Sequence, residues 1–85
     1  MMSENHTLNE FPIEHFLPIE DEPFFLCRVS IFPVKDKFIS ELDIVQKESL
    51  KIYKHVETLY NQENVEEALN NGIETLARFL RGGKI

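Results

Sequence analysis

Histidine and cysteine side chains are the residues of this chain best suited to bind a metal ion. The three histidines, His6, His15 and His55, fall in separate segments, and no two have the i,i+4 spacing that places two ligands on one helix face. A structural zinc site needs about four clustered nitrogen or sulfur ligands, and the chain has a single cysteine, Cys27. We therefore expect no metal site and no other cofactor.

The one candidate for nucleophilic catalysis is Cys27, which would need His15 as its base. A thiol becomes a nucleophile when a base is held within reach. Cys27 lies in an apolar stretch, however, where thiols are usually inert members of the core. The carboxylates at 20–22 and 66–67 are explained by a loop and by a helix start. The sequence thus predicts no catalytic residues and a protein that is not an enzyme.

The front half of the chain is typical of a surface that contacts another protein. Its aromatic content is too high for a disordered segment, because four of the seven phenylalanines lie between residues 16 and 32. The acidic cluster at 20–22 suits a basic partner. The predicted partner-binding residues are Glu20, Asp21, Glu22, Phe24, Leu26, Arg28 and Phe32.

A lysine ridge offers an alternative function. Lys47, Lys51 and Lys54 share the exposed side of a predicted helix, and dimer symmetry would double them into a DNA contact. The net charge of −6 argues against nucleic acid and anionic membrane as partners. The DNA-associated regulator therefore remains the second hypothesis.

Proline and glycine divide the chain into two parts that position these residues. All four prolines lie in the first 33 residues, and all three glycines lie after residue 71. The front part, 11–34, is predicted to be extended, because proline restricts the residue before it to extended geometry. Its best strand, 24–32, must pair either with residues 11–17 as a hairpin or across a two-fold axis with its own copy.

The back part is predicted to be two antiparallel helices, at about 36–61 and at 65–81. Asp36 is a candidate N-cap of the first helix, and Asn64 with Glu67 is a good start for the second. Gly82 and Gly83 follow the second helix as its stop. The apolar face predicted for the first helix consists of Phe38, Leu42, Val45, Ser49, Ile52, Tyr53, Val56, Leu59 and Tyr60. Gly72, in the middle of the second helix, is predicted to make room for the ring of Tyr53.

The predicted fold is α+β, with an extended or β-hairpin N-terminal half packed on a C-terminal antiparallel helical hairpin. The alternative is an all-α domain with a proline-rich arm. Residues 1–10 are predicted to be a disordered tail, with Met1 or Met2 as the true start, and 11–85 to be a single small domain. A chain of 85 residues buries a modest core on its own, so we expect a homodimer.

Composition limits the function further. One cysteine excludes an internal disulfide, and no segment is apolar enough to span a bilayer, so we expect a soluble cytoplasmic protein. The leading hypothesis is a small non-enzymatic protein-interaction module: an adaptor, an inhibitor, an immunity factor or a chaperone-like protein.

Overall fold

The structure, a computed structural model, describes residues 11–83. The predicted disordered tail at 1–10, which includes His6 and both candidate start residues, lies outside this range, as do residues 84–85. No helix within the described range is long and apolar enough to cross a membrane.

The described chain forms four strands followed by one helix. The elements are β1 (Ile13–Pro18), β2 (Phe25–Val34), β3 (Lys37–Gln46), β4 (Ile52–Gln62) and α1 (Val65–Arg81). The strands form one antiparallel sheet in the order β1-β2-β3-β4, and α1 packs across β2, β3 and β4. The protein is therefore a two-layer α+β domain with its helix on one face of the sheet.

The prediction of a helix at 36–61 is wrong. Strands β3 and β4 occupy this segment, so the helical hairpin does not exist, and the all-α alternative is wrong as well. Asp36 is not an N-cap. It follows Lys35 in the two-residue turn between β2 and β3, where Lys35 adopts a left-handed φ of 58°. Glycine and asparagine favour this conformation. Because the turn contains neither residue, the sequence gives no signal of it.

The N-terminal strand pairing follows the first of the two alternatives. β2 pairs antiparallel with β1, with Phe16 opposite Arg28 and Leu17 opposite Cys27. Its other neighbour is β3 of the same chain, with Arg28 opposite Asp43. β2 is therefore a central strand, and no partner chain is needed to complete its ladders.

The helix at 65–81 is confirmed, with the predicted cap. The side chain of Asn64 accepts a hydrogen bond of 2.8 Å from the backbone N–H of Glu67, which satisfies one of the free N–H groups at the helix start. Arg78 and Arg81 lie in the last turn, where cations interact favourably with the helix dipole.

The hydrophobic core lies between the sheet and α1. Its buried members are Cys27, Val29, Ile31, Leu42, Ile44, Ala68 and Leu76. Ser40 links the sheet to α1, because its hydroxyl donates a buried hydrogen bond of 2.7 Å to the carbonyl of Ala68.

Gly72 allows the close approach of α1 to the sheet. A Cβ atom there would lie 3.0 Å from Leu42 Cδ2 and 3.1 Å from Val29 Cγ1. The prediction that Gly72 accommodates Tyr53 is wrong, because the Tyr53 ring packs instead against Phe25, with 4.6 Å between the ring centroids.

Candidate functional site

The face of the sheet opposite α1, here called the open face, carries the most distinctive group of side chains. Since side chains alternate along a strand, residues paired across the strands form rows, or rungs, on this face. Within residues 11–83 the only helix lies on the other side of the sheet. The first rung is Pro18, Leu26, Val45 and Ile52; the second is Phe16, Arg28, Asp43 and His55; the third is Glu14, Ser30, Glu41 and Thr58; the fourth contains Phe32 and Ile39.

A charged network crosses the second rung, with Asp43 at its centre. Asp43 is 1% exposed. Its Oδ2 lies 3.3 Å from the Nη2 of Arg28 on β2, and its Oδ1 lies 2.8 Å from the Nδ1 of His55 on β4. Each partner binds one carboxylate oxygen, so the buried charge is compensated from both sides, as burial of a carboxylate requires.

The network extends to the third rung at both ends. Glu14 on β1 lies 4.0 Å from Arg28, and the hydroxyl of Thr58 lies 3.1 Å from the Nε2 of His55. An ionised carboxylate only accepts hydrogen bonds. The Nδ1–H of His55 therefore donates to Asp43, and Nε2 on the other side of the ring contacts the Thr58 hydroxyl. The chain of contacts links all four strands.

Two groups on the open face have no partner in the described part of the chain. The Nε of Arg28 is buried and makes no hydrogen bond. The half-buried carboxylate of Glu41 makes no ion pair and no side-chain hydrogen bond within residues 11–83. Buried polar groups are nearly always paired, and the Nε of Arg28 departs from this rule, whereas water can solvate the partly exposed carboxylate of Glu41.

Apolar side chains lie on either side of this polar band. In the first rung, Val45 is fully buried while Ile52 is 57% exposed. At the other end Tyr60, 63% exposed, lines the same shallow hollow as Ile39 of the fourth rung. The face thus runs from apolar through charged and polar to apolar.

The predicted partner-binding residues divide between the open face and one end of the sheet. Leu26, Arg28 and Phe32 lie on the open face, half-buried. Phe24 is 75% exposed, and its carbonyl accepts a hydrogen bond from the N–H of Lys47 in the β3–β4 turn. Glu20, Asp21 and Glu22 line a hollow with the end of α1, next to Leu80 and Arg81. The residues predicted to form one contact surface therefore lie on two separate surfaces.

The lysine ridge does not exist as predicted. Lys47 lies in the β3–β4 turn, Lys51 immediately precedes β4, and Lys54 lies within β4. Because no helix aligns these three lysines, the DNA-associated regulator lacks the exposed helix face on which that alternative depends.

Sequence reasoning missed Asp43, His55 and Thr58 as a group. One signal was present: Asp43 interrupts the apolar run from Leu42 to Val45, and a charge in such a run must find a partner when it is buried. Identification of that partner required the strand register, since His55 is 12 residues away.

Cys27 is buried opposite Leu17, whereas His15 lies opposite Val29. Burial raises the pKa of the Cys27 thiol, which lowers the fraction of reactive thiolate at any pH below that pKa. We expect Cys27 in the folded protein to react with iodoacetamide at pH 8 at least about a hundredfold more slowly than in the urea-unfolded chain. Fast alkylation of the folded protein would contradict the core assignment and reopen a catalytic role.

No three histidine, cysteine or acidic side chains converge as metal ligands in residues 11–83. Comparison of the chain with protein-family models, with curated proteins and with solved structures gave no match. Function is therefore inferred from the geometry of the open face.

Proposed function

We propose that the chain is a small non-enzymatic protein-interaction module, of the adaptor, inhibitor, immunity-factor or chaperone-like kind, that binds protein through its open face. The observation that supports this function is the pattern of that face, in which apolar rungs border a charged band. An antiparallel sheet with one packed face normally presents polar residues on the other. The exposed Ile52 and Tyr60 depart from this rule.

The composition of the open face resembles that of a protein interface. Aromatic residues and arginine are enriched in interface centres and supply most hot spots. Phe16, Phe32 and Arg28 have these properties, and all lie on the open face. A partner that covers them gains apolar contacts at both ends and polar contacts in the middle.

The edges of the sheet are poorly suited to add a strand from a partner. β1 has six residues, follows Pro12 and ends at Pro18, and both prolines lack an N–H. The pairing of β4 with β3 is interrupted by three register shifts. Such bulges make the free edge of a strand less suitable for pairing with a strand of another chain. Binding is therefore assigned to side chains of the open face.

The proposal includes a reducing compartment such as the cytoplasm. The observation that supports a reducing compartment is Cys27, a buried free thiol. Disulfides, which an oxidising compartment favours, need a second cysteine, and the chain has one.

The test compares two isoleucine substitutions of the same chemical kind. Ile52→Gln changes the first rung of the open face, whereas Ile73→Gln changes an exposed position on α1. A purified tagged chain is used to capture protein from its host and from a preparation of its own untagged copy. We expect stoichiometric capture of a protein by the wild type and by Ile73→Gln, and loss of that capture with Ile52→Gln. Equal capture by both variants, or none by the wild type, would refute the proposed surface.

A further inference from the structure

We propose that the β3–β4 turn forms a second binding site, which takes an acidic segment of a partner protein that also carries apolar side chains. The site, here called the hairpin end, consists of residues 23–25 and 46–51 with Tyr53 and Lys54. It goes beyond the proposed function and does not rest on it, because it shares no residue with the rungs of the open face. The supporting observations are the conformation of Leu50, the apolar surroundings of the turn and its unpaired lysines.

Leu50 occupies a backbone position that suits a different type of residue. Its N–H donates a hydrogen bond of 2.8 Å to the carbonyl of Gln46, whose own N–H donates one of 2.9 Å to the carbonyl of Lys51. This tight turn holds Leu50 at a left-handed φ of 61°, which glycine, asparagine and aspartate adopt more readily than a bulky side chain. The other non-glycine residues with a left-handed φ in the described range are polar: Asp21, Lys35 and Asn61.

Packing within the chain does not account for Leu50 either. Its side chain is 41% exposed, and it is absent from the apolar residues that pack on the core. An exposed leucine in a strained conformation is therefore unfavourable on two counts. Such strain is found preferentially at sites that bind other molecules, which is the role assigned to this side chain.

Other apolar groups of the hairpin end surround this turn. The carbonyl of the exposed Phe24 accepts a hydrogen bond of 2.9 Å from the N–H of Lys47, which fixes the β1–β2 loop against the turn. The half-exposed ring of Tyr53 packs on Phe25. Residues 23–25 and 46–49 line a hollow of about 740 Å³. This volume lies within the range of ligand pockets, so the hairpin end has room for apolar side chains of a partner.

The charge of the hairpin end favours an acidic partner. Residues 46–54 contain one acid, Glu48, and three lysines: Lys47, Lys51 and Lys54. None of these exposed lysines makes an ion pair in the part of the chain that the structure describes. Exposed charges more than about 8 Å apart are largely screened at physiological salt. A partner that contacts this turn therefore meets its lysines more strongly than the net charge of −6 of the whole chain.

A protein segment suits this surface better than an anionic bilayer does. A bilayer extends beneath the whole end of the molecule, so it also faces the acidic residues at 20–22, which line a hollow with the end of α1. These carboxylates and the lipid headgroups repel each other. A short segment can contact the lysines of the turn alone, with its apolar side chains against Leu50 and in the hollow.

The experiment begins with selection of random displayed peptides of about twelve residues on the immobilised full-length chain. We expect the selected sequences to share both apolar and acidic positions. The dissociation constant of a selected peptide is then measured in solution by fluorescence anisotropy. Leu50→Asn and Lys51→Glu should each raise it by at least about tenfold, and added salt should weaken the binding of the wild type.

Two controls carry matched changes away from the hairpin end. Ile73→Asn changes an exposed position on α1, and Lys35→Glu changes the β2–β3 turn at the opposite end of the sheet. Both should leave the dissociation constant within about threefold of the wild type. Leu50→Asn should melt at the temperature of the wild type or above it, because asparagine tolerates the left-handed φ better. Loss of peptide binding by this variant is then not a result of unfolding.

Four outcomes would overturn the inference and leave the proposed function standing. The first is enrichment of no peptide, or only of peptides without acids. The second is a selected peptide that binds Leu50→Asn and Lys51→Glu as tightly as the wild type. The third is a lower melting temperature of Leu50→Asn, which would show that the leucine stabilises the fold. The fourth is binding to phosphatidylglycerol vesicles that both variants lose, which would assign the hairpin end to a membrane. The open face is tested separately by Ile52→Gln, which should bind the selected peptide as the wild type does.

Discussion

Asp43→Ala is expected to lower the free energy of unfolding by about 3–5 kcal/mol, because it leaves a buried charge without its partner. Arg28 has a side chain only 16% exposed, and its guanidinium depends on the Asp43 carboxylate for its close ion pair. Glu14, at 4.0 Å, is too distant to replace it. His55 is half exposed and loses less, since water can solvate its ring.

The measurement is urea unfolding followed by circular dichroism at one fixed protein concentration. Asp36→Ala is the matched control, because Asp36 is exposed in the β2–β3 turn, and its loss should change stability by less than about 0.5 kcal/mol. The double variant Arg28→Met with Asp43→Leu should recover most of the loss, since apolar residues of similar volume often replace a buried ion pair without cost. A loss below about 1 kcal/mol in Asp43→Ala would show that Arg28 is solvated.

The helix α1 could be predicted because its signals are local. Asn64 and Glu67 lie three residues apart and form the cap between them, and Gly82 and Gly83 follow the helix directly. Each of these signals acts within one helical turn, so no knowledge of the sheet was needed. The strand β2 was predictable for the same reason, from a short run of aromatic and β-branched residues.

β4 was predicted as a helix because its bulges imitate helical spacing. Its contacts toward α1 are made by Val56 and Leu59, which pack on the core, and by Gln62, which accepts a hydrogen bond from Asn71. Tyr53 continues this series against Phe25. The inward residues are thus three apart instead of two, since register shifts interrupt the alternation. A spacing of three is close to the helical period of 3.6.

The alternation of apolar and polar residues is absent from β3 for a different reason. Leu42 and Ile44 are buried toward α1, and Val45 is buried on the open face. A strand buried on both faces has a continuous apolar pattern, which periodicity alone does not distinguish from a buried helix. Because the sequence predicts one helix at about 36–61 in place of β3 and β4, it gives no indication of the second rung. Its contacts join residues 12 and 15 positions apart, and only a register between strands brings them together.

Gly72→Ala is expected to lower the free energy of unfolding by up to about 2 kcal/mol, although alanine is the better helix former. The gain in helix propensity is about 1 kcal/mol. Against it stands an overpacking cost of about 1–3 kcal/mol, because the new Cβ would lie 3.0 Å from Leu42 and 3.1 Å from Val29. Both side chains are fully buried and have little room to move. Gly72→Val adds two further methyl groups at the same contact and should cost about 4 kcal/mol or more.

Urea unfolding again provides the measurement, with Asn70→Ala as the matched control. Asn70 is exposed on α1, so alanine there should stabilise by a few tenths of a kcal/mol through propensity alone. The combination of Gly72→Ala with Val29→Ala identifies the mechanism. If the clash with Val29 is the cause, the double variant is more stable than the sum of the two single losses predicts, because each change relieves the other. A stabilised Gly72→Ala, or strict additivity in the double variant, would mean that the interface between α1 and the sheet tolerates the methyl group and that Gly72 does not set its spacing.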